Sequence, residues 1–161
     1  MDRTKAKAGK LLATKPLVFL DVRPMESAGE QLLDPVFQTL ETLPDDGVLK
    51  LLARSRPEVL IAQLRKRGYK IKSRQEQEGS WDIEVLGANA PNIVDLRGLE
   101  APEPMQRILL AASRLGPDKT YLARLPHVPH PLFPLLRERG LRWWVHEEVD
   151  HSALLAVRAT P

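Results

Sequence analysis

Val18-Phe19-Leu20-Asp21-Val22-Arg23 decides the fold of this chain, because the pattern returns as Asn92-Ile93-Val94-Asp95-Leu96-Arg97. Two further echoes follow in the same order: Leu52-Ala53-Arg54 with Leu122-Ala123-Arg124, and Leu64-Arg65-Lys66-Arg67-Gly68 with Leu136-Arg137-Glu138-Arg139-Gly140. Their offsets lie between 70 and 74 residues, which indicates duplication of one ancestral unit. We therefore predict two domains, residues 16–87 and 91–159, behind a flexible N-terminal tail of residues 1–15.

Within each repeat, the spacing of apolar residues predicts the element order β-α-β-α-β-β. The first helix of repeat 1 is expected to begin at Asp34-Pro35, where a capping aspartate precedes a first-turn proline. Gly68 and Gly140 stand where a glycine ends the second helix. The expected architecture is α+β: two tandem two-layer sandwiches, each with a four-stranded mixed sheet and two helices on one face.

The composition excludes several classes of function. The chain has 43% hydrophobic and 28% charged residues, no apolar run of membrane-spanning length, and a net charge of only +3. We therefore expect a cytoplasmic protein with no membrane partner. Nucleic-acid binding is not expected, because the basic residues of repeat 1 are diluted by acids and lack stacking aromatics. The absence of cysteine excludes disulfides, thiolate metal sites and thiol catalysis.

An Asp-x-Arg pair ends the first strand of each repeat: Asp21 with Arg23, and Asp95 with Arg97. One interpretation is structural, with the aspartate accepting hydrogen bonds from turn amides and the arginine lying against it. The other is functional, with the arginine and the helix-end amides forming a pocket for a carboxylate, phosphate or similar anion. Both interpretations stay open at the level of the sequence.

The turn of repeat 2 reads Asp95-Leu96-Arg97-Gly98-Leu99-Glu100-Ala101-Pro102-Glu103-Pro104. It resembles the TusA/SirA-like sulfur carriers, whose pattern Asp-x-x-Gly-Leu-x-Cys-Pro-x-Pro holds a persulfide on the cysteine. Ala101 stands at the cysteine position, so the resemblance implies a relative that cannot carry sulfur. Gly98 and Ala101 join Asp95 and Arg97 as candidate ligand-binding residues on this basis.

A closer resemblance is to a bacterial relative of that fold, the domain of unknown function 2249. The Asp-Val-Arg motif, the proline-marked first helix, a His-Pro loop before the second helix and aromatic residues in the last hairpin carry it. The likeness covers nearly the whole chain after residue 16, twice. It implies two tandem copies of a TusA-like domain and names no ligand.

His127 and His130 are the second candidate pair, in the loop His127-Val128-Pro129-His130-Pro131. A His-x-x-His spacing is compatible with a shared metal ion, with His146 or His151 as a third ligand. The structural alternative is a helix entrance with one hydrogen-bonded imidazole. Repeat 1 has Ser55-Arg56-Pro57 at this place and no histidine.

Trp143 and Trp144 are adjacent in a predicted strand, so one of them must point away from the core. We expect the outward ring to cover a seam between the copies or a homodimer surface, with ligand stacking as the alternative.

These residues together predict a binding or interaction module without enzymatic activity and without a cofactor. Its partner would be a protein or a small anionic ligand, recognised mainly by repeat 2. The alternatives are a metal-binding or redox accessory protein using His127 and His130, and then a nucleic-acid-binding protein.

Overall fold

The structure, a computed structural model, describes residues 15–27 and 31–159. The chain divides between Ala90 and Pro91 into two parts, which we call unit 1 and unit 2. The predicted tail of residues 1–15 lies outside the described residues except for Lys15.

The described residues of unit 1 form four strands and three helices. In chain order they are β1 (Leu17–Asp21), α1 (Arg23–Ser27), α2 (Leu33–Glu41), β2 (Val48–Ala53), α3 (Glu58–Lys66), β3 (Lys70–Gln75) and β4 (Trp81–Leu86). The sheet order is β1-β2-β4-β3, with β1 parallel to β2 and the other neighbours antiparallel.

Unit 2 repeats this topology. Its elements are β5 (Val94–Asp95), α4 (Glu103–Ser113), β6 (Thr120–Leu125), a 3₁₀ turn (His130–Leu132), α5 (Phe133–Glu138), β7 (Leu141–Glu147) and β8 (Ala153–Ala159). The sheet order is β5-β6-β8-β7, again with one parallel pair at β5 and β6. The predicted α+β architecture with two four-stranded mixed sheets is therefore confirmed.

The helices of each unit cover one face of its sheet. In unit 1, Leu49, Leu51, Ile83 and Val85 point to that face and are buried with helix residues such as Leu64. In unit 2, the corresponding core is formed by residues including Ala123, Leu125, Leu136, Leu155 and Val157. This packing follows from the alternation of side chains along a strand, which gives one face of each sheet an unbroken apolar surface.

The two units correspond at a constant offset of 72 residues from the second strand onward, as Val48 and Thr120 show. The similar segments Leu52-Ala53-Arg54 and Leu122-Ala123-Arg124 are therefore not structurally equivalent. Leu52 pairs with Asp21 in unit 1, and Arg124 pairs with Asp95 in unit 2, so Leu52 corresponds to Arg124. The echo is displaced by two residues, and a shift of two keeps every side chain on the same face of a strand. The sequence pattern could not reveal this slip.

The start of the first long helix in unit 1 was not correctly predicted. Helix α2 begins at Leu33 with Leu32 as its N-cap residue, so Asp34 lies inside the first turn. The chain also forms the short helix α1 where the sequence predicted only a turn. Glu26 at its end accepts a hydrogen bond from the backbone N of Arg54 at 2.8 Å, which ties α1 to the end of β2. Such a contact between distant segments leaves no local signal.

The two adjacent tryptophans point to opposite faces of β7, as predicted. Trp143 packs against the unit 2 core and stacks on Phe133, with ring centroids 5.2 Å apart and planes 9° from parallel. Trp144 lies on the other face, where the Arg142 guanidinium sits 5.0 Å from its ring centroid. A role of either ring in an interface stays a prediction.

In the part of the chain that the structure describes, none of the helices has the length and apolar character that crossing a bilayer requires.

Candidate functional site

The Asp-x-Arg turns have the same geometry in both units. In unit 2, Asp95 Oδ1 accepts hydrogen bonds from the backbone N and the Nε of Arg97 at 3.1 and 2.9 Å, and Asp95 Oδ2 accepts one from Arg97 Nη2 at 2.8 Å. In unit 1, the same three bonds join Arg23 to Asp21 at 3.0, 2.9 and 2.8 Å. Each turn is thus closed by a bidentate ion pair between residues two apart.

These bonds determine the electrostatics of the turn. The Arg97 side chain and backbone N–H hold the pKa of Asp95 down to about 2, with a smaller contribution from Arg124. In unit 1, the hydrogen bond from Arg23 likewise lowers the pKa of Asp21, and Asp21 raises the pKa of Arg23. Since Nε–H and one Nη2–H of each arginine already donate to a carboxylate, those two N–H groups are not available to an external anion. The geometry supports the structural interpretation of the motif more than an anion pocket.

The parallel strands β5 and β6 bring the two candidate loops of unit 2 to the same edge of the sheet. The Asp95–Arg97 turn follows β5, and the loop with His127 and His130 follows β6. The turn between β7 and β8 lies at this edge too, because Ala153 pairs with both Leu125 and Glu147. Carboxyl ends of adjacent parallel strands are where α/β sheets place their ligands.

All four histidines of the chain lie along this edge, which we call the histidine edge. It comprises the residues Asp95, Arg97, His127, His130, His146 and His151. Sequence reasoning singled out the first two histidines as a pair and treated His146 and His151 only as optional third ligands. It could not place the β7–β8 turn beside the His-Pro loop, because the pairing of β6 with β8 skips β7.

The first unit provides an internal comparison for these histidines. At the offset of 72, His127, His130, His146 and His151 correspond to Ser55, Glu58, Arg74 and Gly79. The fold therefore forms in unit 1 without any imidazole at this edge. His151 also has φ +70°, where Gly79 has φ +105°, so a bulky residue occupies a conformation that favours glycine.

The two loop histidines are exposed, and the structure does not bring them into a metal site. The His130 ring meets the edge of Phe133 at 5.7 Å. Across residues 15–27 and 31–159, neither His127 nor His130 belongs to a group of three or more acidic or histidine ligands with donor atoms within 4.8 Å of one another.

The two histidines suggested as third ligands face acids instead. His146 Nε2 lies 3.8 Å from Glu148 Oε2, and His151 Nδ1 lies 3.9 Å from Glu147 Oε1. A metal at this edge would require these side chains to move.

Ala101 lies at the entrance of α4, in an open groove of about 440 Å³ that also includes Glu100, Glu103, Arg107 and Leu110. Arg107 Nη2 contacts Glu103 Oε1 at 3.0 Å, so the one cation of the groove is paired with one of its two acids. The Leu110 side chain is 53% exposed. Gly98 stands just before this segment, and a Cβ there would meet nothing within 4 Å. The groove is acidic and partly apolar, which does not suit a small anion.

The basic residues of unit 1 are partly neutralised by local ion pairs. Arg56 pairs with Glu58, and Arg74 Nη2 lies 2.9 Å from Glu76 Oε1. This arrangement agrees with the expectation that unit 1 lacks a nucleic-acid surface, and that expectation stays a prediction.

The lowered pKa of Asp95 predicts a pH-dependent contribution to stability. Because the folded pKa of about 2 lies below the ordinary value of 3.8, the contribution is complete above pH 3.8 and is lost as pH falls toward 2. The carboxyl is 53% exposed, so solvent screening reduces the effect to about 0.3–1 kcal/mol. Urea unfolding should show a larger difference between wild type and Asp95→Asn at pH 7 than at pH 2.5, where only part of the contribution remains. An equal difference at both values would contradict the ion-pair explanation.

The fold and this edge define a duplicated two-layer α+β protein with one polar, histidine-bearing sheet edge in its second copy. The chain belongs to the family of uncharacterized conserved proteins DUF2249, whose family model matches residues 19–86 and again 93–158. The tandem repeat of this domain is thereby confirmed. No curated protein and no solved structure matches the chain significantly.

Proposed function

We propose that this chain is a non-enzymatic recognition module that binds a protein partner through the histidine edge of unit 2. The observation that carries the proposal is the internal comparison: four histidines converge on one edge, and unit 1 forms the same edge without them. Residues that a fold does not need and that separate segments place together favour binding over structure, and three of these four histidines are exposed, while His146 is half-buried.

The chemistry of the edge favours a protein partner over a small anion. Two donors of Arg97 are held by Asp95, and the adjacent turn carries Glu147, Glu148 and Asp150. An imidazole both donates and accepts hydrogen bonds and has an apolar ring face, so exposed histidines suit a mixed polar and aromatic protein surface. A small anionic ligand, the other partner expected from the sequence, would meet mostly carboxylates here.

The resemblance to the TusA-like sulfur carriers supports the same proposal. Both have the order β-α-β-α-β-β, and Ala101 stands at the entrance of α4 where the carriers have their cysteine. With no cysteine in the chain, no persulfide can form. On this view, the domain retains a surface for protein contact at that end of the sheet and lacks the transfer chemistry.

The test uses equivalent positions of the two units as matched variants. The double variant His127→Ala/His130→Ala removes both loop imidazoles, and Ser55→Ala/Glu58→Ala makes the equivalent change in unit 1. Proteins that co-purify with wild type should be quantified by mass spectrometry with both variants, and the Kd of the main partner measured by calorimetry. We expect the unit 2 variant to weaken binding about tenfold or more, since each lost interfacial hydrogen bond is worth about 1 kcal/mol.

The unit 1 variant should bind the partner as wild type does. Equal losses in both variants, or full binding by the unit 2 variant, would contradict the proposal. The pair Arg97→Ala and Arg23→Ala extends the comparison to the Asp-x-Arg turns, where we expect the larger loss of binding for Arg97.

A metal-binding or redox accessory role is the second candidate, and it rests on the same four histidines with Glu147 and Glu148 beside two of them. Zinc or copper retained by wild type at stoichiometric level, and lost in His127→Ala/His130→Ala, would favour this role over protein recognition.

A further inference from the structure

A cavity of about 200 Å³ lies in unit 1 at the edge of the sheet opposite the Asp-x-Arg turn. It opens where β2 begins and β4 ends, beside the last turns of α2 and α3. Leu40, Leu43 and Tyr69 contribute apolar surface, and Asp45 and Arg67 are the charged residues that line it. A cavity of this size is smaller than the range of about 300–1,000 Å³ typical of drug-sized ligands, so it fits a compact molecule.

The two charges of this cavity are opposite in sign and do not pair with each other. Among the residues that the structure describes, neither Asp45 nor Arg67 has an ion-pair partner within 4.0 Å. The Arg67 guanidinium instead packs over an aromatic ring, with its Cζ 4.1 Å from the centroid of the Phe37 ring. This contact restrains the arginine without pairing its guanidinium with a carboxylate.

The residues that line this cavity differ between the two units. Gly47 and Gly87 line it, and their backbones are hydrogen-bonded to each other, with Gly87 N donating to Gly47 O at 3.1 Å. The equivalent positions of unit 2 lie 72 residues later in the chain. There, Lys119 replaces Gly47, Ala159 replaces Gly87 and Pro117 replaces Asp45. Unit 2 therefore lacks both the glycines and the carboxylate, although it keeps Arg139 in place of Arg67. The site is a property of unit 1 and not of the shared fold.

We propose that this cavity binds a small zwitterion of the α-amino acid class with an apolar side chain. The ligand carboxylate would accept hydrogen bonds from Arg67, its ammonium group would donate to Asp45, and its side chain would contact Leu40 and Leu43. A ligand with both charges matches the two unpaired groups at once, whereas a plain carboxylate or amine satisfies one of them.

The test is a titration of the full chain with three probes of equal shape: L-leucine, 4-methylpentanoate and 3-methylbutylamine. Calorimetry gives the affinities, and amide chemical shifts report the location. We expect L-leucine to bind at least about tenfold more tightly than either single-charge probe, with shifts confined to the residues around the cavity. Asp45 and Arg67 are exposed, so their substitution should not disturb the core. Arg67→Gln and Asp45→Asn should each weaken the binding of L-leucine about tenfold or more. Arg139→Gln, the matched control in unit 2, should leave the binding of L-leucine unchanged.

Three results would overturn the proposal. One is the absence of saturable binding below about 10 mM for every L-amino acid with an apolar side chain. Another is equal affinity for L-leucine and 4-methylpentanoate, which would show a site for simple carboxylates. The third is unchanged binding by both Arg67→Gln and Asp45→Asn. Because the cavity is lined by residues of unit 1 and the histidine edge belongs to unit 2, none of these results bears on the protein-recognition proposal.

Discussion

Lys50→Met should lower the free energy of unfolding by about 3–5 kcal/mol at pH 7, the largest effect that we expect from one substitution in this chain. The Lys50 side chain is 1% exposed, and its Nζ lies 2.7 Å from Asp82 Oδ1 and 2.9 Å from Glu84 Oε2. The two carboxylates are themselves 12% and 5% exposed. Methionine would fill the space of the lysine stem and remove the ammonium group that contacts both acids, while Arg74 Nη2 would still lie 3.9 Å from Asp82 Oδ2.

The control for this prediction is Lys72→Met. Lys72 is on β3 and pairs across the sheet with Glu84, but its side chain is exposed, so its removal should change stability by less than about 0.5 kcal/mol. Urea unfolding followed by tryptophan fluorescence and circular dichroism measures both variants. A Lys50→Met protein as stable as wild type would show that apolar packing replaces the ion pair without loss.

Gly87→Ala should be the second large effect, with a loss of about 3 kcal/mol in the free energy of unfolding. A Cβ at Gly87 would lie 2.1 Å from the carbonyl O of Asp45 and 2.9 Å from its carbonyl C. These are backbone atoms, and they cannot rotate away. The hydrogen bond from Asn89 N to Asp45 O at 3.2 Å holds the two segments together, so relief of the clash would break it.

Gly98→Ala is the matched control, because a Cβ at Gly98 meets nothing within 4 Å. We expect this variant to be neutral or more stable by about 0.4–1 kcal/mol, since alanine restricts the unfolded chain. Thermal unfolding monitored by circular dichroism compares the two alanine variants. Similar melting temperatures for both would contradict the close approach of Gly87 to Asp45.

The sequence predicted the element order, and the reason is local. Alternating apolar residues specify strands such as β4, and the glycines at 68 and 140, both with positive φ, end the second helices as expected. The predictions that were wrong concern contacts between distant segments and one helix boundary. Helix α1 is tied to β2 through Glu26, helix α2 begins one residue before Asp34, and the second strands align two residues away from their sequence echo.

The candidate site was predicted in part. The sequence identified Asp95, Arg97, His127 and His130 as chemically distinctive, and the sheet places them at one edge. It left open whether the arginines face a ligand, and the structure shows Arg23 and Arg97 bound to their own aspartates. Side-chain rotamers determine that choice, and a three-residue motif permits either one.

The sequence by itself determined the duplication, the α+β class and the absence of thiol chemistry, because each follows from residue types and their spacing along the chain. Only the tertiary structure decided which residues meet. Strand orders that skip a neighbour, β1-β2-β4-β3 and β5-β6-β8-β7, bring His151 beside the His-Pro loop and Gly87 beside Gly47. Such pairings join segments far apart in the chain and depend on how whole faces pack, so no local pattern of residues encodes them.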